Sequence, residues 1–333
     1  MQTLAQQWLR PKRPRDSFPP YELADSDFVA KAERDTRKLA RIYHMATKQA
    51  WDGRAVLDEL IEKHGGIHFP EDKKEAMGRL SAILLWGELA AWSISADLAL
   101  KLEDPDAKMA ASSQVFDEAR HFTVLREYLW RAGITVPRLG GYSRTLLVSL
   151  LETDRLLYKL VGMQLMVENI ALCMFKSLAD AKLEPVLTDL LYYFERDEAR
   201  HVGLGALALP RVLAELSSFE ASRLWFYQFR IQMLMVASGL TLRDTFEDLG
   251  IDQAAMQMYG FRLQADVYKR MRTESVSKGL ATKGLFKVSG KGQQRVNDLL
   301  FPKQNNQSPK HRRALETLIR LAKRGDQLLA KRA

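Results

Sequence analysis

The sequence predicts an all-α protein built around a four-helix bundle, and three observations support this. The word Asp-Glu-Ala-Arg-His occurs twice, at 117–121 and at 197–201. Each copy follows an apolar helical stretch that carries a glutamate thirty residues before the glutamate of the word, Glu88 or Glu168. No segment shows the strict apolar/polar alternation that indicates a β-strand. A helix that carries one Glu is therefore followed by a helix that carries Glu and His, and after a connection the same order is repeated. This order indicates a duplicated helical pair.

The repeated word places a glutamate and a histidine three residues apart, so both lie on one helix face. With the upstream glutamates, the candidate ligands are Glu88, Glu118, His121, Glu168, Glu198 and His201. In a four-helix bundle this is the ligand set of a carboxylate-held pair of metal ions. Four buried carboxylates would repel one another, whereas two divalent cations cancel their charge. The alternative is two solvated helix faces that repeat by chance. It explains one Glu-x-x-His but not two copies with matched upstream glutamates.

Composition and charge limit the class of protein. A chain of 333 residues with 47% hydrophobic residues is globular, with one large domain or two ordinary ones. We find no uncharged apolar run of about 18 residues, which a membrane span would need. The first ten residues lack the features of a signal peptide, and Cys173 is the only cysteine, so we expect a cytoplasmic protein. The formal charge of +9 is uneven, because residues 269–333 carry 17 Lys/Arg and 4 Asp/Glu, or +13.

The helices are predicted in chain order from their caps and breaks. Prolines and the lack of a period predict an irregular N-terminal arm over 1–24. Gly, Pro and Asp breaks then separate helices at about 26–45, 55–64, 70–102 and 106–133. In the second half we predict one long helix over 143–181 and a helix from 184 that Pro210 should kink or end. Two further helices are predicted over 219–249 and 253–275.

The C-terminal region differs from the rest in composition. We predict a helical metal-binding domain over 25–275 and a basic extension over 276–333. Residues 279–308 are rich in Gly, Lys, Gln and Asn and are predicted to be a loose linker. Residues 310–332 form a basic helix with an apolar side. That helix could bind an anionic membrane or nucleic acid, but packing on the body or on a dimer mate is favoured.

Both copies of the word, with Glu88 and Glu168, resemble the ferritin-like di-iron oxygenase and oxidase superfamily over about 75–210. That superfamily includes ribonucleotide reductase small subunits, multicomponent monooxygenase hydroxylases and acyl-carrier-protein desaturases. The resemblance implies a ferritin-like bundle, two iron ions (Fe/Fe or Mn/Fe) and the six ligands above. It also implies that Asp117 accepts a hydrogen bond from His201 and Asp197 one from His121. Arg120 and Arg200 should pair with these aspartates, with a surface ion pair as the alternative.

Departures from each branch leave the subfamily open. Leu125 stands where reductase small subunits usually keep a radical tyrosine, so a reductase subunit is not expected. Ala171 and Leu172 stand where monooxygenases and desaturases commonly place a threonine. Phe194 stands where arylamine N-oxygenases add a histidine, so no seventh ligand is expected.

The resemblance implies an O2-activating enzyme of hydroxylase, desaturase or N-oxygenase type. Because no Gly-x-Gly-x-x-Gly fingerprint occurs, we expect its electrons from a separate reductase or ferredoxin. The residues one turn from the ligands suggest a hydrophobic substrate, small or carrier-bound, although plain core packing would use the same residues. These candidate pocket residues are Leu84, Trp92, Phe122, Leu125, Gln164, Leu172 and Phe194.

Two other functions fit the sequence. One is a ferroxidase or iron-handling protein, in which the site oxidises Fe²⁺ itself and needs no reductase. The other is a nucleic-acid-acting hydroxylase that the +13 tail anchors by electrostatic attraction. A homodimer is compatible with either function and with the favoured one.

Overall fold

The computed structural model describes residues 26–277, 285, 290–301 and 308–331, and within these segments there is no β-strand. The predicted N-terminal arm lies outside them. The first half contains α1 Ser26–Lys48, α2 Gly53–His64, α3 Lys74–Lys101 and α4 Pro105–Arg131. The second half contains α5 Gly141–Leu151, α6 Leu156–Lys159, a π-helix Leu160–Val167, α7 Glu168–Ala181 and α8 Pro185–Ala214. The remaining helices are α9 Ser218–Thr241, α10 Arg243–Leu249, α11 Gln253–Ser277, α12 Gly290–Leu300 and α13 Pro309–Lys331.

Local capping chemistry sets where several of these helices begin. The side chain of Asp52 accepts a hydrogen bond from Ala55 N and starts α2. Asp104 plays the same part for α4, where Pro105 occupies the first helical position. Glu184 starts α8, since its Oε2 accepts a hydrogen bond from Leu187 N at 2.8 Å. These caps lie at or next to breaks that the sequence predicts.

Helices α3, α4, α7 and α8 form the four-helix bundle, with α3 packed on α4 and α7 packed on α8. The π-helix continues α7 and contacts α8. Helices α1 and α2 cover α4 and α8, whereas α5 and α10 contact α3. Helix α11 contacts α7 and α8. The predicted all-α bundle with flanking helices is therefore confirmed.

The bundle core is divided into two apolar clusters. The first uses α3 from residue 90 on, the start of α4, the π-helix and the second half of α8. The second uses the start of α3, the end of α4, α7 and the first half of α8. The repeated word and its upstream glutamates occupy the layer between these clusters, which makes the site a polar layer inside an apolar bundle.

Three predicted helices differ from the structure. The helix over 143–181 is broken between α5 and α6, where Arg155 is extended and its N–H donates to Thr153 Oγ1 at 3.4 Å. The helix over 219–249 ends at Thr241, whose hydroxyl donates to Ser238 O at 2.7 Å and favours a break there. Pro210 does not end α8, which continues to Ala214 with its last turns held in the apolar core, and the predicted alternative of a kink at Pro210 stays a prediction.

The C-terminal helix packs on the body. On α13, Leu315 and Ala322 are buried against Leu240 of α9 and Phe301. Tyr142 N of α5 donates to Asp326 Oδ1 at 2.7 Å. The linker prediction is wrong for 290–300, which form α12, because composition alone concealed a helical apolar spacing. The rest of 279–308, apart from residues 285, 301 and 308, lies outside the described residues.

Two segments, Glu71–Lys101 and Leu156–Ala181, are long and apolar enough to span a membrane by length and composition. They are the segments that carry Glu88 and Glu168. Within the protein, 44% and 78% of their most apolar windows are buried. Core helices of a bundle have the same composition, so these segments are explained by the fold.

Candidate metal centre

The six predicted ligands come together in the middle layer of the bundle. Helix α3 supplies Glu88, and α7 supplies Glu168 as its first residue. The two copies of the word supply a Glu and a His each from α4 and α8. None of the six side chains is more than 4% exposed. The duplicated sequence thus builds one shared cluster from both halves of the chain.

The cluster contains two groups of ligand atoms, each within 4.8 Å of one another. We name the groups position A and position B. Position A comprises Glu88, Glu118, His121 and Glu198. Position B comprises Glu118, Glu168, Glu198 and His201. Each position has one imidazole and three carboxylates, which suits a divalent cation such as iron or manganese.

Glu118 and Glu198 belong to both positions, and each directs one oxygen to each histidine. Glu118 Oε2 lies 3.8 Å from His121 Nδ1, and its Oε1 lies 3.0 Å from His201 Nδ1. Glu198 Oε1 lies 3.3 Å from His121 Nδ1, and its Oε2 lies 3.2 Å from His201 Nδ1. Each of these two glutamates would therefore offer an oxygen to both positions, whereas Glu88 and Glu168 would each offer one to a single position.

The hydrogen bonding of position A fits a metal ion. Four buried atoms there make no hydrogen bond: Glu88 Oε2, Glu118 Oε2, Glu198 Oε1 and His121 Nδ1. His121 Nδ1 lies 3.3 Å from Glu88 Oε2 and from Glu198 Oε1, but without the geometry of a hydrogen bond. Leaving a buried polar group unpaired costs about 1–3 kcal/mol each. One atom from each residue of position A faces this cost, and a single cation would satisfy all four. The residues present thus fit the metal that the donor set implies.

A closed ring of charges supports the histidines from outside. Asp117 Oδ2 lies 3.3 Å from His201 Nε2, and Asp197 Oδ2 lies 3.3 Å from His121 Nε2. Each aspartate thus contacts the histidine of the other half. Arg120 Nη2 donates to both aspartates, and Arg200 Nη2 donates to Asp197 at 2.8 Å and Asp117 at 2.9 Å. Two aspartates and two arginines alternate in this ring, so its net charge is zero and no metal ion is needed to balance it.

The histidines keep both aspartates of the ring ionised. Burial opposes ionisation of Asp197, but the hydrogen bond and charge of His121 hold the pKa of Asp197 far below its usual range. Burial likewise opposes ionisation of Asp117, and the hydrogen bond from His201 lowers the pKa of Asp117. Both stay anionic, so each can fix its imidazole with Nε2 as the donor and Nδ1 free for a metal.

Without metal, protons balance the charge of the inner cluster. Burial, and then the charge of neighbouring carboxylates, raises the pKa of Glu88 and Glu168 well above the usual value. Burial disfavours charged histidine, but the surrounding carboxylates raise the pKa of both imidazoles well above the usual value. Two carboxyl groups and two imidazoles thus hold protons more tightly than usual. Two divalent cations would carry the same positive charge as these four protons.

Two aromatic residues close the histidine side of position A. Trp51 Nε1 donates to Asp197 Oδ2 at 2.8 Å, and the Trp51 ring lies 4.6 Å from the Arg120 guanidinium carbon. Phe194 stacks on His121 with ring centroids 4.2 Å apart. Sequence reasoning missed Trp51, because it lies in the loop between α1 and α2 with no period linking it to the repeated word. The one sequence feature that could have indicated Trp51 was its position directly before the predicted helix break at Asp52-Gly53.

Gln114 is a second residue that sequence reasoning missed. It is 1% exposed and lies one turn before Glu118 on α4. Its Nε2 donates to Glu118 Oε1 at 2.9 Å and to Glu168 Oε1 at 2.7 Å. The amide therefore ties together two carboxylates of position B from different halves of the chain. The spacing of Gln114 from Glu118 offered a signal, since residues four apart on a helix are neighbours.

An apolar cavity of about 90 Å³ opens beside the cluster. Glu88, Glu118 and Glu168 form part of its wall. Helices α3 and α7 supply one side, and α5, α9, α10 and α11 supply the other. Apart from the glutamates, its polar lining residues are Ser238 and Gln257. The cavity lies on the glutamate side of the cluster, and the aromatic residues close position A on its histidine side.

Of the seven predicted pocket residues, only Leu84 lines this cavity. Leu125 and Phe194 are fully buried in the second core cluster, and Trp92 and Phe122 are half-buried and contact each other. Gln164 and Leu172 are buried off the cavity. The cavity touches one face of α3 and of α7, and these six residues lie off it, so their place in a substrate pocket stays a prediction. Gly87, Ala91, Ile170 and Ala171 lie on that face.

The chain was compared with known proteins. A scan against protein-family models and a search of curated proteins found no match. A solved R2-like ligand-binding oxidase with an aerobically reconstituted Mn/Fe cofactor is similar, with 16% identity, 78% of this chain and 98% of that chain covered, and a TM-score of 0.55. The fold is ferritin-like. A mutant R2-like ligand-binding oxidase, also with an Mn/Fe cofactor, matches with 16% identity, coverage of 86% and 93%, and a TM-score of 0.40.

Proposed function

We propose that this protein is a di-iron oxidoreductase that uses O2 to oxidise an organic, hydrophobic substrate. One observation carries the proposal: six buried residues that could hold two metal ions lie together, and three of them, Glu88, Glu118 and Glu168, form part of the wall of an apolar cavity. A purely structural metal site needs no such cavity. This arrangement is compatible with a hydroxylase, a desaturase or an N-oxygenase. The product of the oxidised substrate would distinguish these three reactions.

Glu88, Glu118, His121, Glu168, Glu198 and His201 would hold the metal pair, as Fe/Fe or Mn/Fe. The similar solved oxidase was reconstituted with an Mn/Fe cofactor, which supports the second option. A bound pair would supply the redox chemistry, because reduction of O2 by two electrons and two protons from a donor and by two electrons from the substrate leaves water and an oxidised product. The ligand set itself accepts either pair, since both metals favour carboxylate and imidazole ligands.

The residues of the chain provide positioning and exclude water. Glu118 and Glu198 keep the two metal positions together, because each contributes an oxygen to both. Asp117 and Asp197 orient the imidazoles. The apolar lining holds a substrate beside Glu88, Glu118 and Glu168, and burial there favours a molecule that is itself apolar. We therefore assign the substrate site to this cavity.

The electrons need an external source. The sequence has no dinucleotide-binding fingerprint, so we propose a separate reductase or ferredoxin as donor. The single cysteine, Cys173, is buried, which is compatible with the proposed cytoplasmic location.

The proposal is tested by metal analysis of the protein as isolated and by O2 uptake of the chemically reduced protein. We expect about two metal ions per chain, from the ligand set, and O2 uptake coupled to oxidation of added hydrophobic compounds. Glu118→Ala should lose both, because it removes a ligand from each position. Catalytic oxidation of Fe²⁺ alone, without a donor or organic substrate, would identify a ferroxidase instead.

A cavity variant separates the metal site from the substrate site. Gly87 lines the cavity, and a Cβ at this position meets no atom within 4 Å. Gly87→Leu should therefore retain both metal ions but lose substrate-dependent O2 uptake. Unchanged substrate oxidation in this variant would show that the cavity is not the substrate site.

A further inference from the structure

The duplicated halves differ at one position beside the metal ligands. Gln114 lies four residues before Glu118 on α4, and the matching position before Glu198 on α8 is Phe194. Both residues are buried, at 1% and 0% exposure. Phe194 stacks on His121 of position A and donates no hydrogen bond, whereas Gln114 donates to Glu118 and Glu168 of position B. The sequence repeat therefore does not make two equivalent metal positions.

The difference extends to the ligand atoms. All four residues of position A present a buried atom that has no hydrogen-bond partner. In position B, Gln114 holds Glu118 Oε1 and Glu168 Oε1. The third carboxylate of position B is also engaged, because Glu198 Oε2 lies 3.2 Å from His201 Nδ1. Position A thus offers a cation four atoms that make no hydrogen bond, whereas Glu118 Oε1, Glu168 Oε1 and Glu198 Oε2 at position B each already have a hydrogen-bond contact within the protein.

We propose that the two positions fill in order, A before B, and that Gln114 is the positioning residue on which position B depends. This inference rests on the metal pair of the proposed function. A cation entering position A relieves four unpaired groups, which favours its binding. A cation entering position B must instead use carboxylate oxygens that Gln114 orients. By holding Glu168 Oε1, the amide leaves Oε2 as the oxygen nearer His201, at 4.0 Å from Nδ1.

The amide also links the halves of the chain across position B. Glu118 and Glu168 belong to different copies of the duplicated pair, and one NH2 group donates to both. Outer partners of metal ligands orient them, and losing one typically lowers affinity by about 10–100-fold. Removing the amide should therefore weaken position B by about that factor, because two carboxylates of that position lose a partner. Position A should be affected less, because Glu118 is the one residue of that position to which Gln114 donates a hydrogen bond.

The test is a titration of the full chain, freed of metal by a chelator, with Mn²⁺ and without O2. Free Mn²⁺ is followed by electron paramagnetic resonance. Wild type should bind two ions in two resolved steps. Gln114→Met keeps the length of the side chain without its donors, and it should bind one ion at Mn²⁺ concentrations that give wild type two. Gln228→Met is the matched control, since Gln228 is also fully buried but donates to Leu224 O outside the site.

Tryptophan fluorescence assigns the order of filling in the wild-type protein. Trp51 donates to Asp197, which contacts His121 of position A, so its emission should respond to an ion there. The chain has six tryptophans, and the signal lost in Trp51→Phe isolates this one. We expect the Trp51 signal to be complete after the first ion. This measurement needs no change at Gln114 and stands even if Gln114→Met does not fold.

The outcomes separate this inference from the proposed function. A Trp51 signal that follows the second ion, or two ions bound by Gln114→Met with wild-type affinities, would overturn the inference and leave the metal pair intact. Loss of the second ion in Gln228→Met as well would also overturn it, because any buried glutamine would then have the same effect. No Mn²⁺ or Fe²⁺ bound by wild type would overturn both.

Discussion

Asp197→Asn is the sharpest test of the charge ring around the metal cage. The side chain of Asp197 is fully buried and accepts hydrogen bonds from Trp51 Nε1, Arg120 Nη2 and Arg200 Nη2. Asparagine has the same shape, but its NH2 group must face at least one of these donors. The substitution also leaves Arg120, which is buried, and Arg200, which is partly buried, to share Asp117 alone. We therefore expect a large loss of stability with little change of shape.

The magnitude follows from the burial of the ring. Removing one partner of a buried, hydrogen-bonded ion pair costs about 3–5 kcal/mol. The unfolding entropy of a chain of 333 residues is about 0.7 kcal/mol per degree, from about 2.1 cal/mol/K per residue. Asp197→Asn should therefore lower the melting temperature of the metal-free protein by about 4–7 °C.

Calorimetry of both metal-free proteins measures this shift. The control is Asp248→Asn, which removes the partner of Arg79 in a surface pair at 2.7 Å. Asp248 is 52% exposed, and such pairs contribute about 0–1 kcal/mol, so the control should shift the melting temperature by about 1 °C or less. Equal shifts in the two variants would refute the reasoning, because the ring would then be no stronger than a solvated ion pair.

Three other measurements test separate features of the structure. Metal uptake near neutral pH should release up to four protons, and affinity should rise with pH, because four ligand groups have a raised pKa without metal. An indicator dye in weak buffer measures the release, and uptake without it would contradict the assignment. Gly87→Ala should raise the melting temperature by about 1 °C, since alanine is the better helix former by about 0.5–1 kcal/mol. Gly78→Ala on the same helix should lower it, because its Cβ would lie 2.2 Å from Thr135 O; shifts of the same sign would refute the packing argument. Burial raises the pKa of Cys173 to about 12, so its thiol should react with an aromatic disulfide only on unfolding, and rapid labelling of the folded protein would contradict this.

The bundle was predictable because its signals are periodic and repeated. Glu118 and His121 share a helix face by spacing alone, and the second copy repeats this with Glu198 and His201. Buried carboxylates at that spacing have few uses other than metal binding, so chemistry and periodicity lead to the same cluster. The helix starts were equally local, since Asp52 and Asp104 cap within three residues.

The cavity and the outer contacts of the cage depend on distant parts of the chain. Trp51 reaches Asp197 across 146 residues, and no sequence period joins a loop to a helix. Helix α9 lines the cavity through Met235 and Ser238, and this position depends on how α9 packs on the bundle. The spacing rule identifies residues near a ligand but not the side of the helix on which space remains. Six of the seven predicted pocket residues therefore lie off this cavity, and their place in a substrate pocket stays a prediction.

The π-helix before Glu168 adds a second departure from symmetry to that of Gln114. Helix α3 runs unbroken from Lys74 to Lys101 through Glu88, whereas a π-helix precedes Glu168 in the other half. A π-helix changes the facing of the side chains that follow it, and such segments are frequent at functional sites. Gly205 permits this arrangement, because a Cβ there would lie 2.7 Å from Gln164 Cβ.

The duplicated halves thus share the features that neutralise and orient the cage, namely the charge ring and the paired histidines. They differ around Glu168, which lines the cavity together with Glu88 and Glu118 and which accepts a hydrogen bond from Gln114. A repeat that only bound metal would have no reason to break its symmetry at that ligand, so the asymmetry supports assigning the chemistry to the cavity side of the cage.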